Sequence, residues 1–191
     1  VAHYPIKLDP SPKQDGYQFV PRKDGSICVE KLVPEKATFV LNFSTDTRGK
    51  PLTGFRVEAL ADPKLPAKGP GLTKHGNFVL SEFRAFVVDL VDQKKKRPLP
   101  FSSAKADFSQ NKWAIQTAID GKNETGWAIS PQTGKDHQAT FLLKKPIPAK
   151  EASSLRIEMA QLYGSRHVIG RFRIMAMTGE QSSDIAPENV R

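Results

Sequence analysis

Cysteine is nearly missing from this chain. Among its 191 residues only Cys28 carries a thiol, which excludes an internal disulfide framework and a cysteine-built zinc site. Cys28 lies in the apolar run "GSICVEKL" and is expected to be a small core residue. Long apolar runs are missing too: no stretch approaches the roughly 20 apolar residues that a membrane-spanning helix needs. The opening "VAHYPIKLDPSPKQDG" holds no apolar run of signal-peptide type and reads as a mature or excised boundary, so location is not read from a leader. Tyrosine (3) and tryptophan (2) are scarce beside phenylalanine (11), so most aromatic rings are expected in the core. The histidines His3, His75, His137 and His167 show no i, i+4 pairing around a glutamate as on a zinc-protease helix. "AKGPGLTKHG" lacks the spacing and the Lys-Ser/Thr ending of a phosphate loop, and no nucleophile elbow occurs.

What is present is ordinary in bulk and basic in charge. The length suits one large domain or two small ones, enough to bury a core. The formal net charge is +9, which favours anionic partners: nucleic acid, anionic lipid or an acidic polysaccharide. The densest basic run is Lys94 to Arg97 in "QKKKRPLP". No aromatic interleaves it, so it makes a poor platform for stacked bases. It reads as a solvated loop, and nucleic acid is not the expected partner.

The apolar period along the chain is mostly two. "ATFVLNF" alternates Ala37, Phe39, Leu41 and Phe43. "TGFRVEAL" sets Phe55, Val57 and Ala59 against Arg56 and Glu58. "HQATFLL", "SLRIEMAQL" and "GRFRIMAM" behave alike, with Phe172, Ile174 and Ala176 facing one way. Such runs are half-buried strands. "NFVLSEFRAFVVDL" is more apolar and reads as a central strand or two. "KDGS", "TRGKP", "KGPG", "DGKN", "QTGK" and "LYGS" are turn signals between them. Helix is expected only as a short turn in "NKWAIQTAI". The pattern predicts an all-β fold, an antiparallel β-sandwich, over residues 1–191 as a single module with its core at about 17–178. "DQKKKRPLPFSSAKADFSQ" reads as a long polar connection between interlocking halves. Residues 1–15 and the C-terminal "TGEQSSDIAPENVR" read as loosely held tails.

"TAIDGKNETGWAI", residues 117–129, is the most pointed stretch. It sets Asp120, Gly121, Asn123, Thr125 and Gly126 between two apolar anchors. One reading is an Asp-Gly turn whose carboxylate accepts backbone donors. The other is a loop around a hard cation, since calcium takes about six to eight oxygens and successive carbonyls with a carboxylate can supply them.

From residue 104 onward, "AKADFSQNKWAIQTAIDGKNETGWAISPQTGKDHQATFLL" resembles the opening of a discoidin-type domain, the galactose-binding-like jelly-roll sandwich shared by many carbohydrate-binding modules. "GNFVLSEFRAF" resembles that family's closing strand. The order is reversed, so the chain looks like a circular permutant, which close termini make tolerable. "DGSI", "LTGFRVEALADPKLPAKGPG", "HGNFVLSEF", "AIDGKNETGWA" and "HVIGRFRI" are similar to a module within large planctomycete proteins that also carry cytochrome c-like regions. The resemblance implies an extracellular, cell-surface or periplasmic setting, neighbouring domains of a larger parent protein, and polysaccharide binding. It also implies a structural Ca2+ site. Carried over position by position, Asp120 and Glu82 supply carboxylates, Thr125 its hydroxyl and carbonyl, and Thr117, Lys122 and Ser81 carbonyls. The chain has no Cys-x-x-Cys-His and so no covalent haem site.

A sugar site needs an aromatic face for the pyranose and forked donors for hydroxyl, sulfate or carboxylate groups. "QLYGSRHVIGRFR" offers Tyr163, Arg166, His167 and Arg171, "DFSQNKW" offers Trp113, and His137 sits at a strand entry. Trp127, after the loop, is expected in the core. Acidic residues fall at turns and strand exteriors, so no enzyme is expected. Three readings compete, and the charge gives only weak support to the third, a nucleic-acid binder, which requires one continuous basic stripe with exposed aromatics. A non-catalytic carbohydrate-binding module requires a shallow cleft with an exposed aromatic and nearby arginines. A structural or docking module of a larger surface protein, with no glycan of its own, requires none.

Overall fold

A computed structural model describes residues 1–8, 16–31, 33–92 and 94–179. Its strands are β1 (Ala2–Pro5), β2 (Lys7–Leu8), β3 (Tyr17–Pro21), β4 (Ile27–Lys31), β5 (Ala37–Ser44) and β6 (Leu52–Ala59). They continue with β7 (Glu82–Val88), β8 (Lys96–Pro98), β9 (Phe101–Ala106), β10 (His137–Ile147), β11 (Leu155–Gln161) and β12 (Arg171–Thr178). Two antiparallel sheets result. One runs β3-β4-β12-β6-β10-β9, with β1 also pairing β12; the other runs β2-β5-β11-β7-β8. This is the all-β sandwich that the alternating runs predict.

The alternation sets which side chains meet. In β5 every second residue from Ala37 to Phe43 is buried, and in β12 Phe172, Ile174 and Ala176 face inward. A pleated strand must do this when one face meets a core. The inner faces of the two sheets touch through aromatic pairs. Phe83 of β7 stacks on Phe141 of β10 at 4.1 Å and 15°, and Phe39 of β5 on Phe172 of β12 at 5.8 Å and 24°. One hydrophobic cluster draws on both halves of the chain. β6, from the first half, lies between β10 and β12 of the second. Cys28 is buried, as is Trp127, whose indole N–H donates to the Phe108 carbonyl at 2.8 Å.

Three expectations change. The polar connection after Val91 is not a loop throughout: Lys96–Pro98 is an edge strand on β7, and Phe101–Ala106 an edge strand on β10. An edge strand buries little, and β9 turns only Ala104 fully inward, so hydropathy gives it no signature. The basic run is partly pinned. Lys96 reaches Glu158 at 2.6 Å and lies 4.1 Å from the centre of the Phe86 ring, and Arg97 pairs with Glu151. The first residues are not loose either, because Ala2–Pro5 pair with Met175–Thr178 and Lys7–Leu8 with Phe43–Ser44. Residues 9–15 and 180–191, the rest of the expected tails, lie outside the described residues. No helix among the described residues is long and apolar enough to cross a membrane.

Candidate functional site

The pointed stretch becomes a 3-10 turn, Ile115–Ile119, followed by an exposed loop. It is pressed onto the segment before β7 by reciprocal backbone bonds between Leu80 and Trp127, both 2.9 Å. Gly126 makes that approach possible: a Cβ there would sit 2.6 Å from the Leu80 carbonyl oxygen, closer than any side chain tolerates. The contact sets buried Glu82 beside Asp120. Gly121 N–H donates to Glu82 Oε1 at 2.8 Å, and Lys122 N–H to Asp120 Oδ1 at 2.8 Å.

The Thr125 hydroxyl is crowded by oxygen. It lies 3.0 and 2.9 Å from Asp120 Oδ1 and Oδ2, 3.4 Å from the Thr117 carbonyl and 3.3 Å from the Lys122 carbonyl. Its single proton can serve only one of these acceptors at a time. Burial, then the neighbouring Asp120, push the Glu82 carboxyl above its ordinary pKa, against the Gly121 N–H bond. Burial works the same way on Asp120, but the Lys122 N–H and Thr125 hydroxyl outweigh it, and its pKa is lowered. Two neighbouring carboxylates, one of them beside the Thr117 and Lys122 carbonyls around Thr125, suit a hard cation. The loop is also hydrogen-bonded in its own right, so a cation would add to a formed structure. Among the described residues no three His, Cys, Asp or Glu side chains gather as a metal cluster. Any cation here would depend on carbonyl and hydroxyl oxygens. Ser81, whose carbonyl was expected among the ligands, uses its buried hydroxyl to accept the Leu162 N–H at 3.1 Å.

A cleft of about 490 Å³ opens beside this loop, lined by Lys36, Ser81, Trp113, Asn123, Glu124 and Tyr163 among others. Asn123 and Glu124 are the tip of the loop itself. Lys36 is placed by the Arg166 N–H donating to the Glu35 carbonyl at 3.1 Å, which ties the chain before β5 to the turn after β11. Tyr163 stands 53% exposed. Trp113 meets it edge-on at 5.3 Å and 85°, and His167 at 4.6 Å and 71°. His167 Nδ1 lies 2.9 Å from the Gly164 carbonyl; that oxygen only accepts, so Nδ1 carries a proton there, and Nε2 has no hydrogen-bond partner among the described residues. Arg166 is exposed in the same turn, with no side-chain partner among the described residues. Trp113, Tyr163 and His167 are thus brought together, and Arg166 only shares the turn that carries the last two.

Two expected ligand residues are elsewhere. Arg171 is tied into the sheet, with Asp24 at 2.7 Å, Asp62 at 3.3 Å and the Ser26 hydroxyl at 3.0 Å. The Ser26 hydroxyl and N–H, and then this arginine, hold the Asp24 carboxyl down to about 2. Such a guanidinium is already occupied. His137 is buried in phase with Ala139 and Phe141. Its Nδ1 lies 3.1 Å from Asp107 Oδ2 and its Nε2 2.7 Å from the Gln132 carbonyl. Both ring nitrogens face acceptors, so the arrangement is complete only when the ring is doubly protonated. His75, Lys36, Asn123 and Glu124 were not anticipated. No local pattern marks His75, whereas Asn123 and Glu124 lie inside the quoted stretch.

The His137 pair carries a pH dependence. Burial lowers the His137 pKa, but the Asp107 and Gln132 bonds outweigh it and the net shift is upward. Asp107 is raised by burial and lowered more by the His137 bond and the Gln138 N–H, a net downward shift. A raised histidine stabilises fully below its unfolded value of about 6.5, and the contribution is lost as pH rises through the folded value. A lowered aspartate stabilises above about 3.9, and that is lost as pH falls through its folded value. The pair should therefore help most between those limits. Thermal unfolding of wild type and His137→Gln across pH 5 to 8 should show the wild-type advantage shrinking as pH rises; an advantage that grows would contradict the pairing.

No family model matches this chain, and neither curated proteins nor solved structures yield a match.

Proposed function

We propose that this module binds polysaccharide without catalysis, at the cleft walled by Trp113 and Tyr163. One observation supports it above the rest: Tyr163 is half in solvent yet makes edge contacts with two other rings, Trp113 and His167. A ring fixed this way loses little freedom on binding and offers an apolar surface to a sugar ring. Lys36 lines the cleft and Arg166 is exposed in the turn that carries Tyr163, both without ion-pair partners among the described residues. With the +9 net charge, they favour uronic or sulfated chains, and salt should weaken the binding.

The same reading takes the oxygen cluster of Asp120, Glu82, Thr117, Lys122 and Thr125 as a structural calcium site. The cation would neutralise the paired carboxylates and brace the loop whose tip, Asn123–Glu124, is one wall of the cleft. It takes the sandwich as a permuted galactose-binding-like module of a larger extracellular, surface or periplasmic protein.

Affinity electrophoresis against neutral and anionic polysaccharides tests the function. Tyr163→Ala should weaken binding by about three- to tenfold, the worth of one aromatic contact. Arg171→Ala should leave it unchanged, because that arginine is bound to Asp24 and Asp62. Wild-type protein that ignores every polysaccharide would favour a structural or docking module instead.

A further inference from the structure

We propose that the bound ligand is an extended, twisted chain of at least three sugar units, and that His75 forms the far end of its site. This rests on the polysaccharide reading above and names what the cleft selects.

The aromatic row does not stop at the cleft. From Trp113 it passes to Tyr163 and His167, and then to His75, with the last ring centroids 5.7 Å apart. Each step is about the length of one pyranose unit in an extended chain. His75 arrives there because the loop 71–79 is tied to residues 167–169 at both of its ends. Leu72 N–H donates to the Val168 carbonyl at 2.9 Å, Val79 N–H to the His167 carbonyl at 3.1 Å, and Gly71 bridges Ile169.

The turn that presents His75 is closed from within. Gly76 N–H donates to the Thr73 carbonyl at 2.9 Å, Gly71 N–H to the Gly76 carbonyl at 2.8 Å, and the Thr73 hydroxyl to the Asn77 carbonyl at 2.9 Å. Gly76 has φ +82, and a Cβ on it would meet the Gly69 oxygen at 2.8 Å. The exposed imidazole thus rides on a rigid support, although the fold makes no hydrogen bond to it among the described residues. Its neighbour Lys74 is exposed as well.

Neighbouring ring planes meet at 85°, 71° and 61°. No two neighbouring rings are coplanar, so adjacent rings form no flat platform. A flat crystalline surface needs coplanar rings, whereas a soluble chain whose units rotate along its axis can meet each ring in turn.

The test is calorimetry on wild type and His75→Ala. The probe is whichever of xylan, mannan, pectate and chondroitin sulfate retards wild-type protein most, cut to a ladder from monomer to hexamer. Wild-type affinity should climb to the trimer or beyond. His75→Ala should remove the last step, about three- to tenfold, and leave the dimer unaffected. Its thermal unfolding should match wild type, since the side chain is exposed. Wild-type affinity that levels off at the dimer, or a ladder that His75→Ala does not alter, overturns the extended site and leaves the polysaccharide reading standing. Preferential binding to microcrystalline cellulose also overturns it. If none of the four polysaccharides binds, both fall together.

Discussion

Calcium added to chelator-treated protein is expected to raise the melting temperature by about 5–10 °C. At about a hundred times its Kd, a ligand that binds only the folded state contributes about 2.7 kcal/mol, and a chain of this size moves about 2–4 °C per kcal/mol. The shift comes from Glu82 and Asp120. Glu82 is 3% exposed with a raised pKa, and its partner carboxylate lies across the Gly121 N–H. Without a cation, a carboxyl whose folded pKa is raised stabilises below its unfolded value, and that contribution is lost as pH rises through the folded value. Calcium should reverse this slope, because it favours the ionised pair. The shift should therefore be largest at neutral pH and fade in acid, where protons compete for the same oxygens. Glu82→Gln should remove most of it. A melting temperature unmoved by chelator and by calcium would contradict the site and leave Asp120-Gly121 as a hydrogen-bonded turn.

Phe141→Ala is expected to cost about 3–5 kcal/mol, the range for emptying a large aromatic site in a packed core. The ring is fully buried and lies flat on Phe83 of the opposite sheet at 4.1 Å. Its loss opens a cavity between the sheets that neither backbone can close without breaking ladder bonds to β6 and β9. Phe83→Ala should cost a similar amount, and the double variant less than the sum, because the two share one contact. Urea unfolding measures all three. A cost below about 1 kcal/mol for Phe141→Ala would mean that the sheets do not meet at this pair.

Alternation made most of the sandwich legible. β5 alternates throughout and β10 through Leu143, while β6, β11 and β12 alternate over part of their length and bury consecutive residues toward one end. β1, β2, β8 and β9 are short or lie at edges, where pairing is satisfied with little burial and hydropathy is silent. The same rule, applied one residue further, would have placed His137. It falls in phase with Ala139 and Phe141, which puts it inside whatever its polarity suggests. Arg171 shows the limit of that rule. Alternation gives its face but says nothing of what that face meets. Its real partners, Asp24 and Asp62, come from distant loops.

The candidate site was legible in the same uneven way. Tyr163, Arg166 and His167 occupy one turn, so proximity in sequence carried them. Trp113 reaches Tyr163 only because Leu80 and Trp127 clamp the loop region onto the segment before β7. His75 enters through the pairing of two irregular segments, which no periodicity announces.

If sugar binds at Trp113 and Tyr163, the two tryptophans report it directly. Trp113 lines the cleft, while Trp127 is fully buried and bonded to Phe108. Titrating 15N-labelled protein with the retarding polysaccharide's hexamer should move the Trp113 indole N–H resonance and leave that of Trp127 in place. A Trp113 resonance that stays fixed while the protein demonstrably binds the hexamer would put the sugar elsewhere on the molecule.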